Sequence, residues 1–475
     1  MRRVLIYLVC FWIPYISIGQ QVLVSNEINI KNNYAYDILP NVGDHTIFYH
    51  DKGYDHSFDV YDNLMRYKST TSIEFEKKNI LPVAILPKDS TFNFYYSYRM
   101  DGNTIIKVRR YDMWVKQLDT VTILKTPTLS GEGACRFTMS KDKSKIILFT
   151  PLGKNLNIIL VDNNTFETID NYTLLIDNFD FKSDFEKILL TNDGSVFISG
   201  RKASFWNIAP EESQTIIWAR SGKSISIHKF TPDQFGIASF AIDYDEINKK
   251  LVIGGLTSQN NDDSVNGYFG FTIAPELMPA DAEIITNLFS LEFLAEVYGK
   301  KIGKVKSLTF FKLQNIRIRH DGGCVLLLES VKEFARRSQM NTIGPFGDMI
   351  PSRGYIDYYH EDILAIATYP DGKEHWKKVL FKKQFSQDDD GVFSSYFLFI
   401  TPSRIKLIFN DEIKNNNTVS EYVLDPLGSV ERKSVLSTDY QGLKLRFRSA
   451  VQTGPSSVIV PSEKNGKLSL VKIDY

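Results

Sequence analysis

The sequence predicts an all-β fold: a β-propeller of four-stranded blades, its ring closed by the first strand of the chain. Three observations carry this. A strand-like run closing on an aspartate recurs, as "FDVYD" ending at Asp62, "KVRRYD" at Asp112, "NIILVD" at Asp162, "ATYPD" at Asp371, "EYVLD" at Asp425 and "LVKID" at Asp474. The first three lie 50 and 50 residues apart and the last three 54 and 49, with the weaker "TIIWAR" at Arg220 and "GFTIA" at Ala274 filling the middle. An almost wholly apolar run precedes them, as in "TIFY" 46–49, "KIILF" 145–149, "SVFIS" 195–199, "KLVIG" 250–254, "CVLLL" 324–328, "IKLIF" 405–409 and "SSVIV" 456–460. Polar runs such as "VKQLDTVTIL" and "VERKSVL" follow. Units of about 40–55 residues with four such strands describe propeller blades.

Each element has a local reason. Continuous apolar runs suit second strands covered on both faces. Lys- and Thr-rich fourth strands suit an outer edge, where charge discourages edge-to-edge pairing. The recurrent aspartate accepts backbone N–H groups two residues on and so favours a turn. Asp101-Gly102, Asp193-Gly194, Asp321-Gly322, Asp371-Gly372 and Asn465-Gly466 are further hairpin signals. The last unit offers three strands, near 447–452, 456–461 and 467–474, and "QVLVSNEINI" near the start is an unattached strand that completes it. The count is eight blades. Seven is the alternative because the middle is irregular, and two packed sandwich domains are the architectural runner-up.

Composition sets the class. The chain has 475 residues, 56 basic against 56 acidic, with 43% hydrophobic and 13% aromatic residues. That supports a large core and excludes a disordered chain. Zero net charge argues against a polyanion-binding surface as the main purpose.

The opening "MRRVLIYLVCFWIPYISIGQ" has Arg2 and Arg3, an uncharged run from Val4 to Ile18, and small residues Ser17 and Gly19 before a cut at Gln20. This is the grammar of a cleaved signal peptide over residues 1–19. The run is short for a membrane span and contains Pro14. Tyr7-Leu8-Val9 lacks the small residue expected before a lipidated cysteine, which sets Cys10 aside as an anchor. Residues 20–475 then form one propeller with two cysteines, Cys135 and Cys324, read as buried thiols rather than a disulfide.

Two insertions interrupt the spacing. Residues 277–303 place Ile285, Leu288, Phe289, Phe293, Leu294 and Val297 at helical spacing, with Leu291 off the stripe, which predicts a short helix between blades. Residues 333–360 are long for a hairpin loop. They hold Phe334, Arg336, Arg337, Arg353, Tyr355, Tyr358 and Tyr359, the planar cations and aromatics that dominate interface hot spots. These seven are the predicted binding residues.

First strands of a propeller line its channel, and Arg136, Glu186, Asp243, Arg317, Arg319 and Arg448 are the polar candidates there. Two carboxylates among them, about 5–10 Å apart, would permit glycosidase chemistry. The acidic "DDDG" at 388–391 reads as a solvated turn, because an EF-hand loop alternates its ligands and places a bidentate Glu at its twelfth position. Lys377-Lys378 and Lys382-Lys383 read as edge protection. His45, His50, His56, His228, His320, His360 and His375 show no metal-ligand spacing, and no Gly-rich phosphate loop or nucleophile elbow occurs, so no metal or cofactor is called.

"LLLES" and "EFARR" in 326–337, "YYHEDILAIATYPDGKEHWKKVLFKKQ" at 358–384 and "SSYFLFITPSRIKLIFND" at 394–411 carry a resemblance. Residues 324–411 resemble a recurrent module in exported β-propeller proteins of Bacteroidota, mostly of unknown function. The resemblance implies export and the propeller fold. The end "KLSLVKIDY" is needed for the last blade and leaves no separate sorting domain, which implies periplasmic residence or docking to an outer-membrane complex. The expected role is a non-catalytic scaffold for an envelope protein partner, with no nucleic acid and no transmembrane segment after cleavage. The alternative is a carbohydrate-active or glycan-binding propeller using the channel.

Overall fold

The computed structural model describes residues 21–128, 134–202, 213–220, 224–259, 264–336, 355–411, 418–436, 440 and 442–475, and the backbone of 342–343 and 349–350. Residues 1–19, the segment read as a signal peptide, therefore lie outside the described residues. No helix among them is long and apolar enough to cross a membrane.

Eight antiparallel sheets form eight blades around a central channel. Blade 1 is Ala35–Val42, His45–Asp51, His56–Asp62 and Tyr67–Ile73; blade 2 is Leu81–Lys88, Thr91–Met100, Asn103–Asp112 and Gln117–Pro127. Blade 3 is Arg136–Met139, Lys145–Leu152, Asn155–Asp162 and Thr168–Leu175; blade 4 is Phe185–Leu190, Val196–Gly200, Gln214–Arg220 and Ser224–Pro232. Blade 5 begins Gly236–Asp245, Lys250–Ser258 and Ser264–Ile273; blade 6 is Phe311–Ile318, Cys324–Arg336, Tyr355–Thr368 and Glu374–Leu380. Blade 7 is Phe397–Ile400, Ile405–Asn410, Val419–Leu424 and Val430–Ser434. Blade 8 is Val451–Gln452, Ser457–Lys464 and Lys467–Asp474, and Gln21–Val24 supplies its outer strand, antiparallel to Val471–Asp474.

The apolar second strands are explained by what covers them. Side chains alternate across a strand, and here each face meets a different neighbour. Leu326 and Leu328 pack toward blade 5, whereas Val325 and Leu327 pack toward blade 7. Leu364 and Ile366 of the third strand join the first set, Ile363, Ala365 and Ala367 the second. A buried cluster lies at every junction, including the one between blades 8 and 1, where Ile459, Leu468 and Leu470 meet Ile38, Phe48 and Tyr61. The core is thus a ring of inter-blade seams.

The recurrent aspartates from Asp62 to Asp425 close the turn between the third and fourth strands, whereas Asp474 ends the third strand of blade 8, whose fourth is Gln21–Val24. Asp112 Oδ1 accepts from the backbone N–H of Trp114 and of Lys116, both at 2.9 Å, and Asp425 Oδ1 accepts from Leu427 at 2.9 Å and Ser429 at 2.8 Å. Asp62 and Asp162 do the same. Each turn carries a residue with positive φ: Met65, Val115, Phe166 or Gly428. Such a backbone is costly for a β-branched or bulky residue. The offset is burial, since Met65, Val115 and Phe166 each plug the seam with the preceding blade. In blade 7 the plug comes from the other side: Trp376 of blade 6 crowds Gly428, leaving no room for a Cβ, and donates from Nε1 to Pro426 O at 3.1 Å. Asp112→Ala removes the side-chain acceptor of two backbone N–H groups in one such turn. It should cost about 1–3 kcal/mol, seen as a lower urea midpoint at unchanged m-value.

The 277–303 insertion differs from its sequence reading. The helix is Leu291–Tyr298, begun by Ser290, whose Oγ accepts from Phe293 N. Phe293, Leu294 and Val297 are buried and Leu291 is exposed, but Ile285 and Leu288 precede the helix and face solvent. Asp281–Ile284 instead adds a parallel fifth strand to blade 4, against Lys229–Pro232. Asn287–Leu288 and Leu308–Thr309 both pair with Ser264–Ile273 and stand in for the outer strand of blade 5. The segment "DAEI" pairs with a free sheet edge in preference to extending the helix.

The histidines of blade 1 are structural. His50 contacts Asp59 Oδ2 at 2.9 Å, and His56 contacts the Tyr49 hydroxyl at 2.7 Å. Cys324 is a buried thiol, which burial pushes up to about 11, whereas Cys135, also read as buried, is only half-buried.

Candidate functional site

The 333–360 insertion is a continuation of the sheet at both its ends. After a bulge between Glu329 and Val331, residues 331–336 pair with 355–360, and Gln384–Gln387 pairs with 357–360 on the other side. A three-stranded extension of blade 6 results. Rings run across it: Phe310 to Phe334 at 6.5 Å, Phe334 to Tyr359 at 5.9 Å and Tyr359 to Phe385 at 5.0 Å between centroids. Such cross-strand contacts stiffen a sheet.

The predicted binding residues separate on this frame. Phe334 and Tyr355 are about half exposed, at 47% and 50%, beside the exposed Ile356. Arg336 is exposed but committed, its Nε paired with the buried Asp357 carboxylate, which also accepts from Gln387 Nε2 at 2.9 Å. Tyr359 sits within the ring ladder. Tyr358 is buried and its hydroxyl donates to Asp390 at 3.2 Å. Arg337 and Arg353 lie outside the described residues.

The "DDDG" carboxylates hold the outer end of this extension, away from its base at Val331, His360 and Gln384. Asp388 Oδ1 accepts from Ile356 N at 2.9 Å, and Asp389 Oδ1 accepts from the Ser386 hydroxyl at 2.7 Å and Gly391 N at 2.9 Å.

A buried ionic network, not predicted, anchors the same base. Lys382 was read as an exposed edge residue; its side chain is fully buried and its Nζ lies 2.8 Å from Glu329 Oε1, itself fully buried. Lys382 Nζ also donates to His360 O at 2.9 Å and Gln384 Oε1 at 2.8 Å. The Ser395 hydroxyl donates to Glu329 Oε2 at 2.6 Å, and His360 Nδ1 stands 3.3 Å from that oxygen. Burial pushes the Glu329 carboxyl up, but the Lys382 ammonium and the His360 contact outweigh it and hold it down at about 2. Lys377 pairs with Glu374 at 2.8 Å, Lys378 is exposed on the outer strand, and Lys383 is exposed just beyond it.

In the channel, a cavity of about 520 Å³ is walled by the inner strands of blades 4, 5 and 6. Of the six channel candidates it gathers Asp243 and Arg317, together with Lys141 and Lys187, which the sequence reading missed. Glu186 is elsewhere. A bulge between Phe185 and Lys187 turns it to Arg201, 2.9 Å away, and to Gln214, and presents Lys187 to the channel instead. Arg136 and Arg448 are exposed and do not line the cavity. Arg319 lies over blade 6, where it binds Asp321 at 2.7 and 3.1 Å and meets His375 Nδ1 at 2.5 Å.

A second cavity, about 370 Å³, opens between blades 6 and 7. Val325, Trp376, Ile405 and Leu424 form an apolar floor, with Arg317, Arg319 and Arg404 at the rim. Its carboxylates are in use, Asp321 on Arg319 and Asp425 on its own turn.

No family model matches the chain, and no curated protein matches it. The propeller of Dos1 aligns over 95% of this chain and 94% of that one, at 11% identity and a TM-score of 0.46. The β-propeller domain of the Trilobed protease from Pyrococcus furiosus aligns over 86% and 98%, at 11% identity and 0.37. The polysaccharide lyase Uly1 aligns over 83% and 90%, at 10% identity and 0.38. At this distance the likenesses say nothing about activity, and the eight-bladed assignment stands on the strand pairing itself.

Proposed function

We propose that the protein is an exported, non-catalytic binding scaffold that engages a protein partner of the cell envelope through the extension of blade 6. One observation carries this reading: a stiffened three-stranded projection offers Phe334, Tyr355 and Ile356 to solvent above a buried ionic anchor. Exposed aromatics on a rigid support are what interface hot spots require, because little entropy is lost on binding. The export reading rests on the residues 1–19 and on the resemblance of 324–411. The alternative, a carbohydrate-active propeller, needs two facing acids. Asp243 is the one carboxylate among the described residues lining the channel cavity, so no specific observation favours it.

The test is a pull-down from envelope extract with tagged protein starting at Gln20, beside the Phe334→Ala/Tyr355→Ala double variant. Each hot-spot truncation is worth about 2 kcal/mol or more. The wild type should therefore retain a partner that the variant loses by tenfold or more. Equal recovery by both removes the extension from the interface. No partner together with a hit on a glycan array overturns the scaffold reading.

A further inference from the structure

The geometry points to a binding site in the central channel for a small dianion, a phosphate ester or a dicarboxylate, held by Lys187 and Arg317. The cavity walls carry three cations, Lys141, Lys187 and Arg317, and one carboxylate, Asp243, an excess of two positive charges (3 − 1). One cation is already neutralised: Lys141 Nζ lies 2.8 Å from Asp243 Oδ1 and 2.6 Å from Tyr244 O. Lys187 Nζ donates to Ile242 O at 2.9 Å and has no carboxylate within ion-pair distance among the described residues. The Arg317 guanidinium makes no hydrogen bond and no ion pair among them, and its Nε is shut off from solvent.

That arrangement leaves two positive charges of the cavity wall without a counter-charge. Water reaches Lys187 along the channel, yet the surrounding wall pushes its pKa down, with repulsion from Arg317 and Lys141 adding to this against the pull of Asp243. The wall depresses Arg317 as well, again against Asp243. Cations crowded by protein and lacking counter-charge are destabilising, and an oxyanion between them removes the deficit. Arginine presents a planar fork that matches two oxygens of a phosphate or carboxylate, and lysine adds a point charge. A volume of about 520 Å³ is that of a small-molecule site. Lys141 and Asp243 offset one another, so the valence that fits is the two charges of Lys187 and Arg317.

The probes are inorganic phosphate and succinate, titrated calorimetrically into the full chain against sodium chloride of equal ionic strength. At least one should bind saturably where chloride does not. A preference for phosphate assigns the phosphate-ester class, and a preference for succinate the dicarboxylate class. Arg317→Gln and Lys187→Gln should each weaken that binding by about tenfold or more, since each removes a charge-assisted contact. Circular dichroism confirms that either variant has folded. The inference is overturned if neither probe exceeds chloride, or if both folded variants keep wild-type affinity.

Discussion

Replacing Lys382 with methionine should destabilise the protein by roughly 3–5 kcal/mol, the cost of leaving a buried charge without its partner. Methionine keeps most of the side-chain volume, so the loss is electrostatic. It strands Glu329, which is fully buried with the Ser395 hydroxyl at 2.6 Å and His360 at 3.3 Å as its remaining contacts. Adding Glu329→Gln should recover a large part of the loss, because two neutral partners avoid the penalty that a lone ion incurs. The pH dependence separates this account from a packing defect. In the wild type Glu329 is held at about 2, below its ordinary 4.5. Its contribution is therefore full above about 4.5 and is lost as pH falls through 4.5 toward 2. Without Lys382 burial dominates and the folded carboxyl rises above its unfolded value. The variant should then lose stability as pH rises from 4 to 7, a range over most of which the wild-type contribution of Glu329 is already constant, in urea titrations at several pH values. A variant that loses no more stability than the wild type over that range would rule out the pair as the cause.

The same network shows where sequence reasoning stops. The blade pattern was legible because it is local: the aspartate turns and the apolar second strands each follow from a few consecutive residues. Lys382 was misread because its meaning is non-local, Glu329 lying far upstream in the chain. A signal was present all the same. Glu329 follows the unbroken apolar run Cys324–Leu328, and an acid within a fully covered strand demands a counterion. The channel was half legible for a related reason. Inner strands were identified, but which of two adjacent residues faces inward depends on register, and one bulge exchanged Glu186 for Lys187. Helical spacing in 277–303 was real only from Ser290 onward, where the cap begins; before it, an open sheet edge competed and won.

Removing the first strand should have an effect at least as large as breaking the buried pair, because it opens the ring. Gln21–Val24 pairs residue by residue with Asp474–Val471. Ser25 extends the ladder, its N–H donating to Leu470 O and its hydroxyl accepting from Leu470 N, both at 2.9 Å. Ile28, 4% exposed, then enters the seam of Ile38, Phe48, Leu468 and Leu470. A protein beginning at Ile30 loses the ladder and the Ile28 side chain together. Ile28→Ala alone should cost roughly 2–5 kcal/mol, as for other buried isoleucines. The truncation should cost more and leave Lys467–Asp474 as a bare edge, prone to pair with a second molecule. Lys467→Gln is the control: its contact with Glu27 at 2.5 Å joins side chains 58% and 63% exposed, and such pairs contribute about 0–1 kcal/mol. The expected order of urea midpoints is therefore Lys467→Gln near wild type, Ile28→Ala lower, and the truncation lowest, with amides of Lys467–Asp474 losing hydrogen-exchange protection first. A propeller held shut by the seven other seams would instead show the truncation unfolding with the wild type, and the closing strand would then be decoration.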